Sequence, residues 1–300
     1  MFMVNLGLEP HPTLAGEQVL AVLSPANVCY LPLLKKELVQ VFPRLDIVAP
    51  RDLAHLHDVV VRSGRRHSVV IAVGGDGSLN RVLRSIDLDG QILGVLPGGT
   101  GNDFARTVGL PPGIKASIRY LAKLRPQATD LVLAGGMRCL NSSGFGVDSE
   151  TLRVRHQSKG LARRNYLVAF LIVLSRLKPI VAEIDCDGEI ISGSFCWVLA
   201  MNSSRIGGGT RITPGASIDD GLLDVLLVKE MSKLNMIRFM PAAVRGHHLH
   251  MPWCIYRQAR RLSVRAAKTV EYIALDGEEY YWGKRDVEFS CIPGGIRFLR

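Results

Sequence analysis

The chain has 300 residues, 47% apolar and 21% charged, with a net charge of +10. That is the composition of a globular protein, long enough for one large domain or two ordinary ones, and not of a disordered chain. The positive balance calls for an acidic partner, and with aromatics at only 6% and no basic helix or zinc-finger spacing nucleic acid is set aside for nucleotide or anionic lipid. Six cysteines, at 29, 139, 186, 196, 254 and 291, show no C-x-x-C spacing. They read as reduced thiols of a cytosolic protein, with neither a disulfide framework nor a zinc site. Met1 to Pro10 lacks the basic start and apolar core of a secretion signal. The longest apolar run, Tyr166 to Leu174, falls well short of the roughly 20 residues that span a bilayer. A soluble chain able to touch a membrane is expected.

Gln18 to Leu23 reads as a first strand, Leu31 to Val41 as a helix and Leu45 to Val48 as a second strand. Asp52 is placed to cap a helix running to Ser63, with Leu53, Leu56, Val59 and Val60 on one face. Ser68 to Val73 is a third strand, ending in Gly74-Gly75-Asp76-Gly77-Ser78-Leu79-Asn80. Ile92 to Leu96 is a fourth, ending in Pro97-Gly98-Gly99-Thr100-Gly101-Asn102-Asp103-Phe104-Ala105-Arg106. Short buried strands alternating with helices predict a parallel, doubly wound α/β sheet. Ligands of such sheets bind beyond the carboxyl ends of the strands, where both glycine loops lie.

After Leu131 the rhythm changes. Hairpins are signalled at Gly135-Gly136 and Asp187-Gly188, with further strands at Phe195 to Met201, Gly221 to Val228, 261–266, 270–275 and 286–290. A helix from about Ser232 to Val244 interrupts them. The expectation is an antiparallel β-sandwich domain over 134–300 following an α/β domain over 1–133, with a cleft between them. Arg153, Arg155, His156, Lys159, Arg163 and Arg164 form a basic cluster, either a solvated helix face or a surface for phosphates or lipid head groups. His247, His248 and His250 read as a polar loop.

Two glycine loops at strand-to-helix junctions direct backbone N–H groups and helix N-termini to one sheet edge, an arrangement suited to a polyphosphate. Asp76 lies between Gly75 and Gly77, and a carboxylate beside a phosphate calls for a divalent cation between them. Ser78 and Asn80, then Thr100, Asn102 and Asp103, supply hydrogen-bonding groups at the following helix starts. No G-x-x-x-x-G-K-[ST] loop occurs, which excludes a P-loop enzyme.

These two loops, with Gly144-Phe145-Gly146-Val147-Asp148, Asn202-Ser203-Ser204, Pro214 to Asp224 and Leu275-Asp276-Gly277-Glu278, resemble the diacylglycerol kinase catalytic family, above all its bacterial lipid kinases. The resemblance extends over roughly residues 18–298. It implies an ATP-dependent lipid kinase that uses Mg²⁺ and phosphorylates a hydroxyl of a lipid such as diacylglycerol. It further implies ATP-phosphate contacts at Gly74, Gly75, Asp76, Gly77, Ser78, Leu79, Asn80, Thr100, Asn102 and Asp103. Asp76, Asp103 and Asp148 would be linked by metal and water. Asp220, with backbone oxygens of Ser217 and Leu222, would hold Mg²⁺, and Glu278 would be the general base, with Asp76 as a second catalytic residue. The implied partner is a lipid at a membrane surface, with the protein in the cytoplasm or against the inner face of the membrane; nucleic acid is not a partner, and a homodimer stays open.

The sequence departs from the family at Leu23-Ser24-Pro25-Ala26-Asn27, where Asn-Pro and basic residues are usual. It departs again at Val48-Ala49-Pro50-Arg51, which lacks a nucleotide-contacting Thr, and at Ser78, which replaces a Thr. Nucleotide preference is therefore open. Alternatives are an NAD kinase-like enzyme, which shares the Gly-Gly-Asp-Gly loop, and a non-catalytic nucleotide- or lipid-binding relative. No long C-terminal helix returning to the first domain is expected.

Overall fold

Short β-branched runs bounded by turn formers build the frame of this computed structural model, which describes residues 14, 16–64, 66–161 and 166–300. Contacts divide the chain into two units. The first comprises the residues up to Thr129 together with Gly294–Arg300, and the second is Asp130–Pro293. By contacts the division falls at Thr129/Asp130, and the last seven residues belong to the first unit. A strand takes them there, not a helix.

The first unit carries the strands β1 (Val19–Leu23), β2 (Leu45–Val48), β3 (Val69–Gly74) and β4 (Ile92–Pro97). They are parallel, in the order β2-β1-β3-β4. β1, β3 and β4 are buried along their whole length, as apolar strands covered on both faces must be. Residues 25–30 form 3-10 turns, and Leu31 to Val41 is helical without a break, as expected, with a π-helical stretch at Leu34–Leu38. The helices α1 (Leu53–Ser63), α2 (Asp76–Leu83), α3 (Asp103–Thr107) and α4 (Ile114–Leu121) follow. Asp52 caps α1 by accepting from the His55 amide at 2.8 Å, the bond expected of an N-cap carboxylate. Beside β4 the chain end adds a parallel strand, with Arg297 opposite Ile92 and Phe298 opposite Leu93.

The second unit is built from antiparallel strands. These are β5 (Pro126–Ala134, begun in the first unit), β6 (Met137–Cys139), β7 (Ser142–Gly146), β8 (Ile180–Cys186), β9 (Glu189–Met201), β10 (Arg205–Ile206), β11 (Thr210–Arg211), β12 (Leu223–Lys229), β13 (Cys254–Ala259), β14 (Arg261–Leu275) and β15 (Glu278–Leu299, whose end from Gly294 belongs to the first unit). One sheet path runs β13-β12-β9-β7-β14-β15, and β8 bridges β9 and β14. The two strands expected at 261–266 and 270–275 are one strand, β14, whose register shifts between Arg265 and Val270. One core lies among the strands, around Phe145, Phe195 and Phe289. A second lies beneath the helices α5 (Val147–Gln157), α6 (Tyr166–Arg176) and α7 (Lys233–Arg245), around Trp197 and Phe239. Among the described residues no helix is long and apolar enough to cross a membrane.

Two groups of side chains take definite places. In the basic cluster, Arg153 donates to Glu150 at 2.5 Å and lies over the Tyr272 ring, and His156 meets Glu279 at 3.2 Å. Arg163 and Arg164 lie outside the described residues. His248 is buried, 2.7 Å from the Ile212 carbonyl and edge-on to Phe239, while His247 and His250 are exposed.

Candidate active site

In the first unit both glycine loops emerge from the same edge of the parallel sheet, after β3 and β4, and they touch backbone to backbone. A Cβ on Gly99 would stand 2.4 Å from the Gly75 Cα, and one on Gly98 2.5 Å from Asn27 Oδ1. At Gly99 only glycine fits, because the neighbour is backbone; at Gly98 a side chain would displace that of Asn27. The Gly98 amide donates to the Gly74 carbonyl at 2.9 Å, continuing the β3–β4 ladder into the loops. Asn102, with φ of 53°, ties its own loop by accepting from the Gly99 amide and donating to the Gly99 carbonyl. That side chain stabilises a left-handed backbone which Asn tolerates better than most residues.

Asp76 joins the two loops. Its Oδ2 accepts from the Asp103 amide and its Oδ1 from the Phe104 amide, each at 3.1 Å. The carboxylate therefore meets two main-chain donors that open α3, a favourable position for negative charge. Phe104 is held from behind by Phe298, ring centroids 5.0 Å apart, so the chain end supports the second loop. Ser78 sits on the first turn of α2, its Oγ close over Gly74. Leu79 and Asn80 are fully buried on the inner side of α2, and the Leu79 amide donates to the Gly75 carbonyl at 3.0 Å. Thr100 is exposed and Asp103 is buried. Beyond β1 and β2, a mostly apolar cleft is lined by Leu23, Ser24, Pro50, Leu53, Ser78 and Arg81. Leu53 was read from the sequence only as part of a helix face, and Arg81 was not singled out, because a lone cation on a helix carries no local sign of a cleft.

The second unit holds the remaining residues. Gly146, with φ of 100°, opens α5; a Cβ there would stand 2.2 Å from the Cys196 carbonyl oxygen. This close approach of β7 to β9 sets Asp148 on the first turn of α5, buried. Burial pushes the Asp148 carboxyl up to about 7, since a charge is costly away from water.

Asp276 and Gly277 make the two-residue turn between β14 and β15, with φ of 47° and 81°. The sequence grouped Asp276 with Glu278, but the two do different things. Asp276 is buried and accepts from the amides of Leu140, Asn141 and Ser142 at 2.9, 2.7 and 3.0 Å. Glu278 is half-buried and accepts from the Tyr280 hydroxyl at 3.0 Å. Asp276 anchors the turn; Glu278 is presented by it.

Asp220 is exposed, its Oδ1 accepting from the Leu222 amide at 3.0 Å. The Gln258 amide nitrogen lies 3.5 Å from both Asp220 Oδ2 and Asp224 Oδ1. Asp224, which the sequence did not single out, is fully buried on β12 and takes a hydrogen bond from the Tyr256 hydroxyl. Burial pushes its carboxyl up to about 6, against the lowering influence of the Tyr256 bond, and the Asp220 charge adds to the rise. Asp220, Ser217 and Leu222 offer only oxygen donors, a carboxylate and backbone carbonyls, the set Mg²⁺ prefers. Two carboxylates sharing one neutral amide suit a nearby cation. Among the described residues no three His, Cys, Asp or Glu side chains are gathered as a metal-ligand group.

Paired glycine loops on a parallel sheet, with a carboxylate-bearing β-sandwich in the same chain, are an arrangement suited to a phosphotransferase that takes nucleotides. Residues 29–134 match the diacylglycerol kinase catalytic domain, and residues 141–300 match the YegS C-terminal NAD kinase beta sandwich-like domain. The diacylglycerol kinase of Bacillus subtilis is 30% identical over 284 residues, which cover 88% of this chain and 92% of that protein. The crystal structure of a diacylglycerol kinase from Bacillus anthracis superposes with a TM-score of 0.76 at 20% identity, covering 94% of this chain and 96% of that one. Yeast NADH kinase complexed with NADH gives 0.50 at 10% identity, covering 94% and 82%; both structures speak to the fold alone. The chain belongs to the diacylglycerol kinase family and is a kinase, with ATP as the phosphoryl donor that membership implies.

Proposed function

We propose that the protein transfers the γ-phosphate of ATP to a hydroxyl of a lipid such as diacylglycerol, which it meets at a membrane surface. The observation that carries this reading is the doubled glycine cradle clasped by Asp76. The amides of Asp76 and Gly77 open α2 ahead of its first hydrogen bonds, which Ser78 and Leu79 make to the Gly75 carbonyl at 3.0 Å, and these two receive phosphate oxygens. The apolar cleft beyond β1 and β2 takes the nucleotide base, which explains how the usual polar signature there can be dispensed with. Asp76 and Asp103 hold the cradle's shape. Asp148 is a buried carboxyl at the head of α5. Asp220, with the carbonyls of Ser217 and Leu222, would hold Mg²⁺, a cation that takes oxygen donors of this kind.

Glu278 accepts the proton of the substrate hydroxyl, and Tyr280 orients its carboxylate. Phosphoryl transfer asks little more of a protein than positioning, charge neutralisation and this proton acceptor. The test is Glu278→Ala. The variant is expected to fold and bind ATP as the parent does, with transfer of labelled phosphate to diacylglycerol in mixed micelles reduced at least about a hundredfold, the scale of general-base catalysis. Substantial residual turnover would remove Glu278 from the mechanism. Transfer to NAD but not to any lipid would overturn the substrate class.

A further inference from the structure

We infer that the outer face of α7, together with the adjoining end of α6, is a docking surface for an anionic lipid bilayer. This rests on the proposed lipid substrate and names where the chain meets the membrane that holds it. α7 carries two apolar stripes. Met236, Phe239 and Ala243 face the core. Leu234, Ile237, Pro241 and Val244, spaced three or four residues apart, lie on the opposite side, with Leu234 and Val244 57% and 60% exposed. A surface helix needs one apolar face to fold; a second that stays in water is unexplained by folding.

Charge supplies the occupant. Lys233, Arg238 and Arg245 are exposed beside the outer stripe, and α7 holds no acidic residue. No Asp or Glu occurs anywhere between Glu230 and Glu271, nor between Glu150 and Glu183, the two stretches that contain α7 and α6. The helices are joined where Lys233 Nζ donates to the Ser175 carbonyl at 2.9 Å. Leu171, 48% exposed, lies one turn before Ser175 on the same side of α6. Apolar side chains interleaved with cations, free of acids, are what an interfacial helix presents to a negatively charged membrane. Nucleic acid would leave the apolar stripe unused.

The test is co-sedimentation of the full chain with phosphatidylcholine vesicles, with and without phosphatidylglycerol, alongside gel filtration and circular dichroism. The parent is expected to sediment with the anionic vesicles. Each cation near such a surface strengthens partitioning about fivefold, so Arg238→Glu/Arg245→Glu should weaken it by about twentyfold or more. Ile237→Asp/Val244→Asp should weaken it by about tenfold or more, with less dependence on salt. All of these side chains are exposed, and both variants should fold and phosphorylate a soluble short-chain diacylglycerol at the parent's rate. Failure of the parent to sediment, or sedimentation of both variants like the parent, would overturn the inference. So would a dimer in the parent that both variants convert to monomer, because the face would then belong to a second copy. If no form phosphorylates a lipid, the substrate reading fails, while sedimentation still decides the docking surface.

Discussion

Asp148→Asn should stabilise the protein, and increasingly so as the pH rises. The carboxyl is buried at the head of α5 and displaced by desolvation from 3.8 to about 7. In the unfolded chain it ionises near pH 4. A carboxyl whose folded value lies above its unfolded value disfavours the fold once ionised. The penalty is absent below about pH 4, grows between 4 and 7, and is complete above 7. A tenfold change in an ionisation constant corresponds to about 1.4 kcal/mol, so the full penalty is about 4 kcal/mol, of which about 3 develops between pH 5 and 8.5. Asparagine has the same shape and never ionises. Denaturant unfolding of the parent and the variant at pH 5, 7 and 8.5, without Mg²⁺ or nucleotide, isolates the effect, because every other titrating group is common to both. The stability difference should widen by about 3 kcal/mol across that range. Parallel pH profiles would mean that Asp148 is solvated or paired, and its desolvated environment would have to be given up.

Two further predictions address the loops. Asp276→Ala removes the acceptor for three buried amides and should lower stability by about 2–4 kcal/mol in denaturant unfolding; a loss under about 1 kcal/mol would contradict an anchoring role. Gly99→Ala places a methyl 2.4 Å from the Gly75 Cα and should force the two loops apart. ATP affinity by calorimetry should fall at least about tenfold with the secondary structure unchanged by circular dichroism, and unaltered affinity would show that the cradle does not bind phosphate.

Much of the fold was legible because the deciding signals are local. The second strand, Leu45–Val48, matches the sequence reading residue for residue, and Asp52 and Ser232 cap the helices they precede. Both hairpin dipeptides, Gly135-Gly136 and Asp187-Gly188, turn where expected, with positive φ. What was missed depends on distant partners. The strand β13 is an edge strand paired with β12, and its apolar residues divide between the two cores, Ile255 and Ala259 among the strands and Cys254 beneath the helices. The return of Gly294–Arg300 to the first unit left no local mark. It is secured by Phe298 against Phe104 and by Leu299, which would lie 3.1 Å from a Cβ on Gly94.

The site was legible by residue type and not by role. Six motifs identified the family, yet a motif cannot say which of its members meets solvent. Asp276 and Glu278 differ by one intervening glycine, and each is an acid at a turn. The turn itself separates them. Positive φ at Asp276 and Gly277 folds the first carboxylate inward onto three amides, and the strand that starts at Glu278 lifts the second beside Tyr280. Asp76 follows the same logic. A carboxylate that sequence reasoning assigns to metal and phosphate is here occupied by the amides of Asp103 and Phe104. Its substitution should therefore act on the geometry of the second loop before it acts on any ligand, and loss of activity in an Asp76 variant would not by itself identify a metal ligand. Separating the two requires nucleotide affinity measured with and without Mg²⁺. A residue that shapes the cradle weakens both equally, whereas a metal ligand weakens only the first.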